Sequence, residues 1–341
     1  MLKRFIARRL LTGVIQMLCL TLAVFFLVRM MPADPVARLV GLNASPEAYA
    51  QAQHSLGLDK PVAAQLLDYL GLGSGPGLLE GYLGVSWVTS TPVIDEIGAS
   101  LPITLELLTY SFIVTLLIAV PVGVASANNP GKLVDKIVFA YGLFGGSQPE
   151  FWWGLLFVLV FFATLGVAPA PLGMIDPLLT APPRLTGFFT IDALLAWDWP
   201  ALADIFYHLM LPIVTMVFVL SGPVIKMVRQ SMIRAQASDF VLYANAAGLH
   251  RSTVTRYAMR AAMAPTITLV GILYGVMLGG AVLVESVYSL GGIGQYAVRS
   301  VLAFDYPSIQ GIVLVITGIS LIIYLLLDIL YAIIDPRVVY S

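Results

Sequence analysis

The residues able to do chemistry are few, and most stand in apolar surroundings. Glu106, Glu150, Glu285 and Asp328 lie in or near long hydrophobic runs. A carboxylate there is costly to bury, which makes it a candidate for a gate, a solute pathway or a proton relay. Each also has a structural reading. Glu106 is placed one turn into its helix, where the N-terminal dipole favours a negative charge. Glu150 follows Pro149, and Glu285 and Asp328 fall near the ends of their runs. Glu106, Glu150 and Glu285 are carried forward as pathway or gate candidates. A second concentration of chemistry is the stretch Lys226–Pro265. It holds Lys226, Arg229, Arg234, Arg251, Arg256 and Arg260 against the single acid Asp239. In its middle, Asp239-Phe-Val-Leu-Tyr-Ala-Asn-Ala-Ala-Gly-Leu249 reads as a short helix. Ser238 is placed to cap it, Asp239 suits its dipole, and Gly248 can take the left-handed conformation that ends it. Phe240, Val241, Tyr243, Ala244 and Ala247 form an apolar face too short to span anything. Ala244, Ala246 and Ala247 leave a low-relief surface onto which another protein could press. A second helix is expected from near Ser252 to Pro265, with Arg256 and Arg260 on one face. The alternative is an amphipathic surface helix with its arginines at lipid headgroups.

Nothing points to catalysis or to a bound cofactor. The three histidines, at 54, 208 and 250, are too scattered for a metal cluster, and Cys19 is the single cysteine. There is no nucleophile elbow, no His-Glu-x-x-His and no phosphate-cradling Gly-x4-Gly-Lys-Ser, so the chain has no visible nucleotide site of its own. Gly291, Gly292 and Gly294 do not follow a βαβ pattern and read as tight-turn packing.

The elements that carry these residues are hydrophobic helices. Of 341 residues, 59% are hydrophobic and 11% charged, against about 25% charged in a soluble domain. Apolar runs of about 20 residues indicate an all-α, polytopic membrane protein, and the short alternating segments of a β-barrel are absent. A net charge of −1 gives no signal for nucleic acid. Six spans are expected. The first ends at Met31 and is read as retained, because its apolar part is longer than a signal-peptide core. The others run from about Ile103 to Ala127 (opened by Pro102), about 134–165, about Ile205–Val228, about Thr266–Tyr288 and about Ile309–Ile333. The third is interrupted at Gly145, Gly146 and Pro149, as one kinked span or two half-spans. Residues 32–101 are polar and turn-rich, with short helices expected at 46–56 and 61–70, and form a folded loop subdomain. Residues 102–341 form the remaining core. Trp197 and Trp199 suit a membrane–water interface.

Charge sets an orientation. With the N-terminus in the cytoplasm, the inside segments hold Lys3, Arg4, Arg8, Arg9, Lys132, Lys136, Arg337 and the six bases of 226–265. That is thirteen of the eighteen Lys and Arg residues. The positive-inside rule then puts 226–265 and both termini in the cytoplasm and the acidic 32–101 loop outside. A basic, patterned cytoplasmic segment on a protein without a nucleotide site suggests that an outside partner drives it.

The segment resembles the cytoplasmic coupling loop of ABC-importer permeases, in the dipeptide/oligopeptide/nickel branch. Asp239-Phe-Val, Ala244-Asn-Ala-Ala-Gly-Leu249 and Arg260-Ala-Ala-Met-Ala-Pro265 occupy that loop's places. The resemblance extends along nearly the whole chain. It includes Arg29-Met-Met-Pro-Ala-Asp-Pro35, Leu58-Asp-Lys-Pro61, Leu83-Gly-Val-Ser-Trp87, Leu101-Pro-Ile-Thr-Leu-Glu106 and Ser147-Gln-Pro-Glu-Phe-Trp152. It continues with His208-Leu-Met-Leu-Pro212, Val284-Glu-Ser-Val-Tyr288 and the tail Asp328 to Arg337. Departures are Ala33 for a glycine, Ala247 for a lysine, Gly291 for a proline and Tyr257 for a basic residue. The resemblance implies a type I ABC-importer permease fold in the bacterial inner membrane. It implies a second homologous permease subunit, two cytoplasmic ATP-binding subunits that use ATP and Mg, and an extracytoplasmic binding protein that delivers peptide. It assigns Asp239, Phe240, Val241, Ala244, Ala246, Gly248 and Leu249 to ATPase coupling. It leaves this chain no enzyme, with no catalytic residue, metal or cofactor of its own. A stand-alone secondary transporter or channel is the alternative; it would be expected to carry inverted repeats, which the sequence does not show.

Overall fold

A computed structural model describes residues 2–334 apart from 33, 42 and 74, and the side chains among them apart from 2–7, 264, 268, 328 and 330–334. The readings attached to Ala33, to the Asp328 side chain and to the tail from Asp335 onward lie outside the described residues. Described elements are helical: α1 (Leu2–Met30), α2 (Pro35–Val40), α3 (Pro46–Ser55), α4 (Val62–Leu70), α5 (Val93–Ala127), α6 (Leu133–Gly145) and α7 (Glu150–Phe157). A π-helical turn, Val158–Thr164, continues α7. Then come α8 (Phe189–Leu195), α9 (Trp199–Gln236), α10 (Asp239–Ala246), α11 (Arg251–Tyr288), α12 (Ile293–Ala303) and α13 (Tyr306–Ile334). The helices at 46–56 and 61–70 stand where expected. Ser45 caps α3, its hydroxyl accepting from Ala48 N at 3.2 Å, and Pro46 occupies the first turn.

Five helices among the described residues are long and apolar enough to cross a membrane: Arg8–Met30, Val93–Ala127, Trp199–Gln236, Pro265–Tyr288 and Tyr306–Leu327. The third of the six expected spans is divided. α6 ends at Gly145, and α7 begins only after Pro149, whose ring cannot extend a helix toward its N-terminus. Two other proline expectations change. α5 begins at Val93, so Pro102 does not open it. α11 runs unbroken through Pro265, so no separate helix ends there. One lost hydrogen bond is tolerated inside a long helix whose flanks are packed by neighbours. α9 likewise contains Pro212 and Pro223, and near the second of these the Tyr141 hydroxyl donates to the Phe218 carbonyl at 2.5 Å.

The chain divides into two compact units. The first comprises Met1–Pro102 and Gly292–Ile323. Here Arg29 ties α1 to α4: its Nε donates to Gln65 Oε1 at 2.8 Å, and its guanidinium lies 3.5 Å over the Phe25 ring. Asp305 is the polar centre, accepting from Ser86 Oγ (2.5 Å), Trp87 N (3.1 Å) and Ser308 Oγ (2.8 Å).

The second unit comprises Ile103–Gly291 and the segment from Tyr324 onward. The α9–α11 pair is its backbone, with α6, α7 and α8 packed on α9. Two apolar clusters fill it. One centres on Leu107, Leu108, Ile205, Leu209, Met216 and Met277, the other on Val224, Ile225, Val228, Met232, Val254 and Ala258. Between lipid-facing helices apolar burial supplies little driving force, so close packing over small residues must hold them. Gly123 shows this: a Cβ there would lie 2.7 Å from Val228 Cβ.

Candidate functional site

α10 is an eight-residue helix between two 38-residue ones. Val241 and Ala244, three residues apart, face inward and join the cluster containing Ala127, Val228, Met232, Ala235, Val254 and Ala258. They anchor the helix and are not part of its outer surface. That surface is Phe240 (45% exposed), Leu242 (70%), Tyr243 (77%) and Leu249 (42%), with Asp239 and Ala246 also exposed. Tyr243 therefore faces outward, opposite to the face that Val241 and Ala244 share. Leu242, Tyr243 and Asn245 are exposed on this helix and are not among the contact residues selected from the sequence. An outward arc follows once Val241 and Ala244 are fixed inside by their i, i+3 spacing. Ser238 is the N-cap residue by backbone geometry, but it makes no side-chain cap. Its hydroxyl donates instead to the Ala235 carbonyl in the last turn of α9. Gly248 has φ +72° and nothing within 4 Å of a built Cβ, so conformation alone calls for glycine there.

The candidate carboxylates have different surroundings. Glu106 is buried and lies more than three turns into α5, so the dipole of its own helix does not explain it. Its two oxygens accept from Thr190 N (2.8 Å) and Phe189 N (3.0 Å), the unpaired N–H groups that open α8. Asp192, also buried, closes the preceding turn, accepting from Thr186 N and Oγ1 (both 2.7 Å) and Gly187 N (3.0 Å). Burial pushes the Asp192 carboxyl up, but these hydrogen bonds outweigh it and hold it below its ordinary value. Glu285 is fully buried and accepts from Thr104 Oγ1 at 2.5 Å. Glu150, in the first turn of α7, lies against Gly280 of α11, where a Cβ would come within 2.6 Å of its Cδ. The structure does not gather Glu106, Glu150 and Glu285 into one cluster of hydrogen-bonded carboxylates.

A third arrangement was not singled out in the sequence. Asp135, at the start of α6, accepts from Arg229 Nε (2.5 Å) and Nη2 (2.8 Å), Ser126 Oγ (2.6 Å) and Gly131 N (2.8 Å). Beside it, α6 and α9 border a cavity of about 680 Å³ lined by Lys136, Phe139, Gly142, Gly222, Pro223 and Lys226 among others. In the turn after α11, Gly291 has φ +81°, which is closed to proline, so this turn is not the one a proline would build.

Five helices long and apolar enough to cross a membrane, and a short helix between two long ones that offers aromatic side chains outward, define a polytopic α-helical membrane protein. The family model described as binding-protein-dependent transport system inner membrane component matches residues 119–340. The corresponding N-terminal model matches residues 1–108. The chain belongs to this family, the permease components of ABC importers. It is 35% identical to the di/tripeptide transport system permease protein DppB of Pseudomonas aeruginosa (strain UCBPP-PA14), over 98% of each chain. It is 33% identical to the dipeptide transport system permease protein DppB of Escherichia coli (strain K12), over 98% of each chain. With the probable D,D-dipeptide transport system permease protein DdpB of the same organism it shares 34% identity, over 92% of this chain and 91% of the relative. Membership of a binding-protein-dependent family does not favour a stand-alone carrier.

Proposed function

We propose that this chain is a permease subunit of an ATP-driven peptide importer, with α10 as the helix that docks on an ATP-binding partner. The observation that carries the reading is the outer surface of α10. Phe240, Leu242 and Tyr243 are presented to the outside by a helix whose opposite face is locked into the bundle. Peptide as substrate rests on the three relatives. The remaining parts are a second homologous permease, two cytoplasmic ATP-binding subunits using ATP and Mg, and an extracytoplasmic binding protein. The charge distribution supports an inner-membrane orientation with both termini and α10 in the cytoplasm. Closure of the ATP-binding subunits around ATP would displace α10. Because Val241 and Ala244 hold α10 to α9 and α11, the displacement would move those helices as a body and switch access across the membrane. This chain supplies the path and the lever, and its partners supply the chemistry.

The test is Tyr243→Asp in the co-expressed transporter. A carboxylate in a desolvated aromatic contact carries a penalty of a few kcal/mol. Co-purification of the ATP-binding subunits is expected to fall at least tenfold, while the permease stays in the membrane at its normal level. ATP-dependent uptake of dialanine should be lost with it. Unchanged co-purification and uptake would remove α10 from the docking role.

A further inference from the structure

The cytoplasmic ends of α5, α6 and α9 are joined by directional polar contacts that neither packing nor docking requires. We propose that Asp135 and Arg229 form the latch that passes displacement of α10 to the α5–α6 hairpin, making both of them positioning residues for coupling. This rests on the permease reading above.

The Asp135 carboxylate takes four hydrogen bonds. Ser126 donates from the last turn of α5, Gly131 from the connecting turn, and Arg229 donates twice from α9. One side chain thus holds both arms of the hairpin and is itself held by α9. A second contact lies about two turns further along α9 on the same side, seven residues away. There Gln236 Nε2 donates to Asn128 Oδ1 at 2.6 Å, at the other end of the same turn. α9 ends at Gln236, and only Ala237 and Ser238 separate it from α10. Ser238 is bonded back to the Ala235 carbonyl, and Val241 and Ala244 are packed inward. The junction therefore leaves α10 little freedom to move without the end of α9.

Further along α6, the Tyr141 hydroxyl also bonds the Phe218 carbonyl of α9, but the other contacts between the hairpin and α9 near its α10 end are apolar, as at Ala119, Ala127, Val224 and Val228. Apolar contacts are non-directional and let helices slide. A bidentate arginine–carboxylate pair resists sliding, because both hydrogen bonds lose alignment together. Asp135 and Arg229 are therefore the link that converts motion of α9 into motion of α5 and α6. Removing the pair should leave a folded transporter in which hydrolysis runs ahead of transport.

The experiment uses the complete transporter in proteoliposomes: both permeases, the ATP-binding subunits and the binding protein. Dialanine is the probe, and uptake and ATP hydrolysis are read in the same vesicles. D135N keeps the shape and removes the charge. Its uptake per ATP is expected to fall at least threefold, with hydrolysis within twofold of wild type. R229K, which keeps charge but loses the fork, should lie between. An unchanged ratio for D135N, or uptake and hydrolysis falling in proportion, overturns the latch. If D135N prevents assembly, R229Q, which opens the same pair from the α9 side, carries the same test with the same two outcomes. Absence of ATP-dependent dialanine uptake in the wild-type vesicles would count against the permease reading itself; normal coupling there with normal coupling in D135N counts against the latch alone.

Discussion

Glu106 and Asp135 are both buried carboxylates of the same compact unit, and both accept several hydrogen bonds. Their donors set them apart. Glu106 receives two backbone N–H groups that open α8, so it is held by fixed neutral dipoles on a short helix. Asp135 receives a charged fork from α9, and α9 makes its second polar contact with the hairpin at Gln236, its last residue before the junction with α10. The first arrangement closes a helix end that would otherwise be orphaned. The second joins a hairpin to an element with somewhere to go. Both carboxylates are buried and hydrogen-bonded, with two bonds to Glu106 and four to Asp135, so those criteria mark both sites without telling their roles apart. What separates structural from mechanical roles is which element the donor belongs to.

The contrast can be broken by mutation. Glu106→Ala should give the largest loss of stability, because it leaves one buried and one half-buried N–H group unpaired, at about 1–3 kcal/mol for the buried one. Thermal unfolding in detergent should shift down by several degrees, with uptake and hydrolysis falling together as folded protein is lost. Glu106→Gln keeps an acceptor and should shift less. A Glu106→Ala protein that is normally stable but has altered uptake per ATP would erase the distinction from Asp135. A smaller effect is expected from Gly248→Ala. The left-handed conformation costs a side chain about 1–2 kcal/mol, and open space around the position means that no clash adds to it. Amide exchange in α10 should speed up several-fold, and exchange in α8 should not change. The smallest effect concerns Asp192, which belongs with Glu106 in the α8 anchor. Its carboxyl is held below the ordinary 3.8. A depressed carboxylate contributes stability fully above that ordinary value, and the contribution is lost as pH falls through the folded one. Asp192→Asn should therefore flatten the decline of the melting temperature below about pH 4. An unaltered acid limb would show that those hydrogen bonds do not favour the charged form.

Much of this architecture was legible in the residues, and the misses share a cause. Ser45-Pro46 and Lys60-Pro61 marked the starts of α3 and α4, and Gly248 marked the end of α10, because caps and turns are local. Hydropathy, in contrast, reports the membrane and not the helix. α5 begins at Val93, in a turn with Asp95 and Glu96 that no apolar window includes. α9 reaches Gln236, eight residues past the expected end of its span. At Pro265 the local rule calls for a helix end, and neighbouring helices overrule it, since α11 continues through the proline. The partner of Glu106 lies 83 residues away, and that of Asp135 lies 94. No spacing rule reaches so far. Within α10 the pattern was sufficient but was read with one wrong side, since Tyr243 points out while Ala244 points in.

The central claim is that the outer face of α10 meets an ATP-binding subunit. The most direct measurement is a photo-reactive phenylalanine analogue at position 243 in the assembled transporter, with the same analogue at Leu67, also exposed, as control. The account predicts an adduct between the permease and an ATP-binding subunit from 243 and none from 67. Labelling of lipid alone from 243, or equal adducts from both positions, would contradict it.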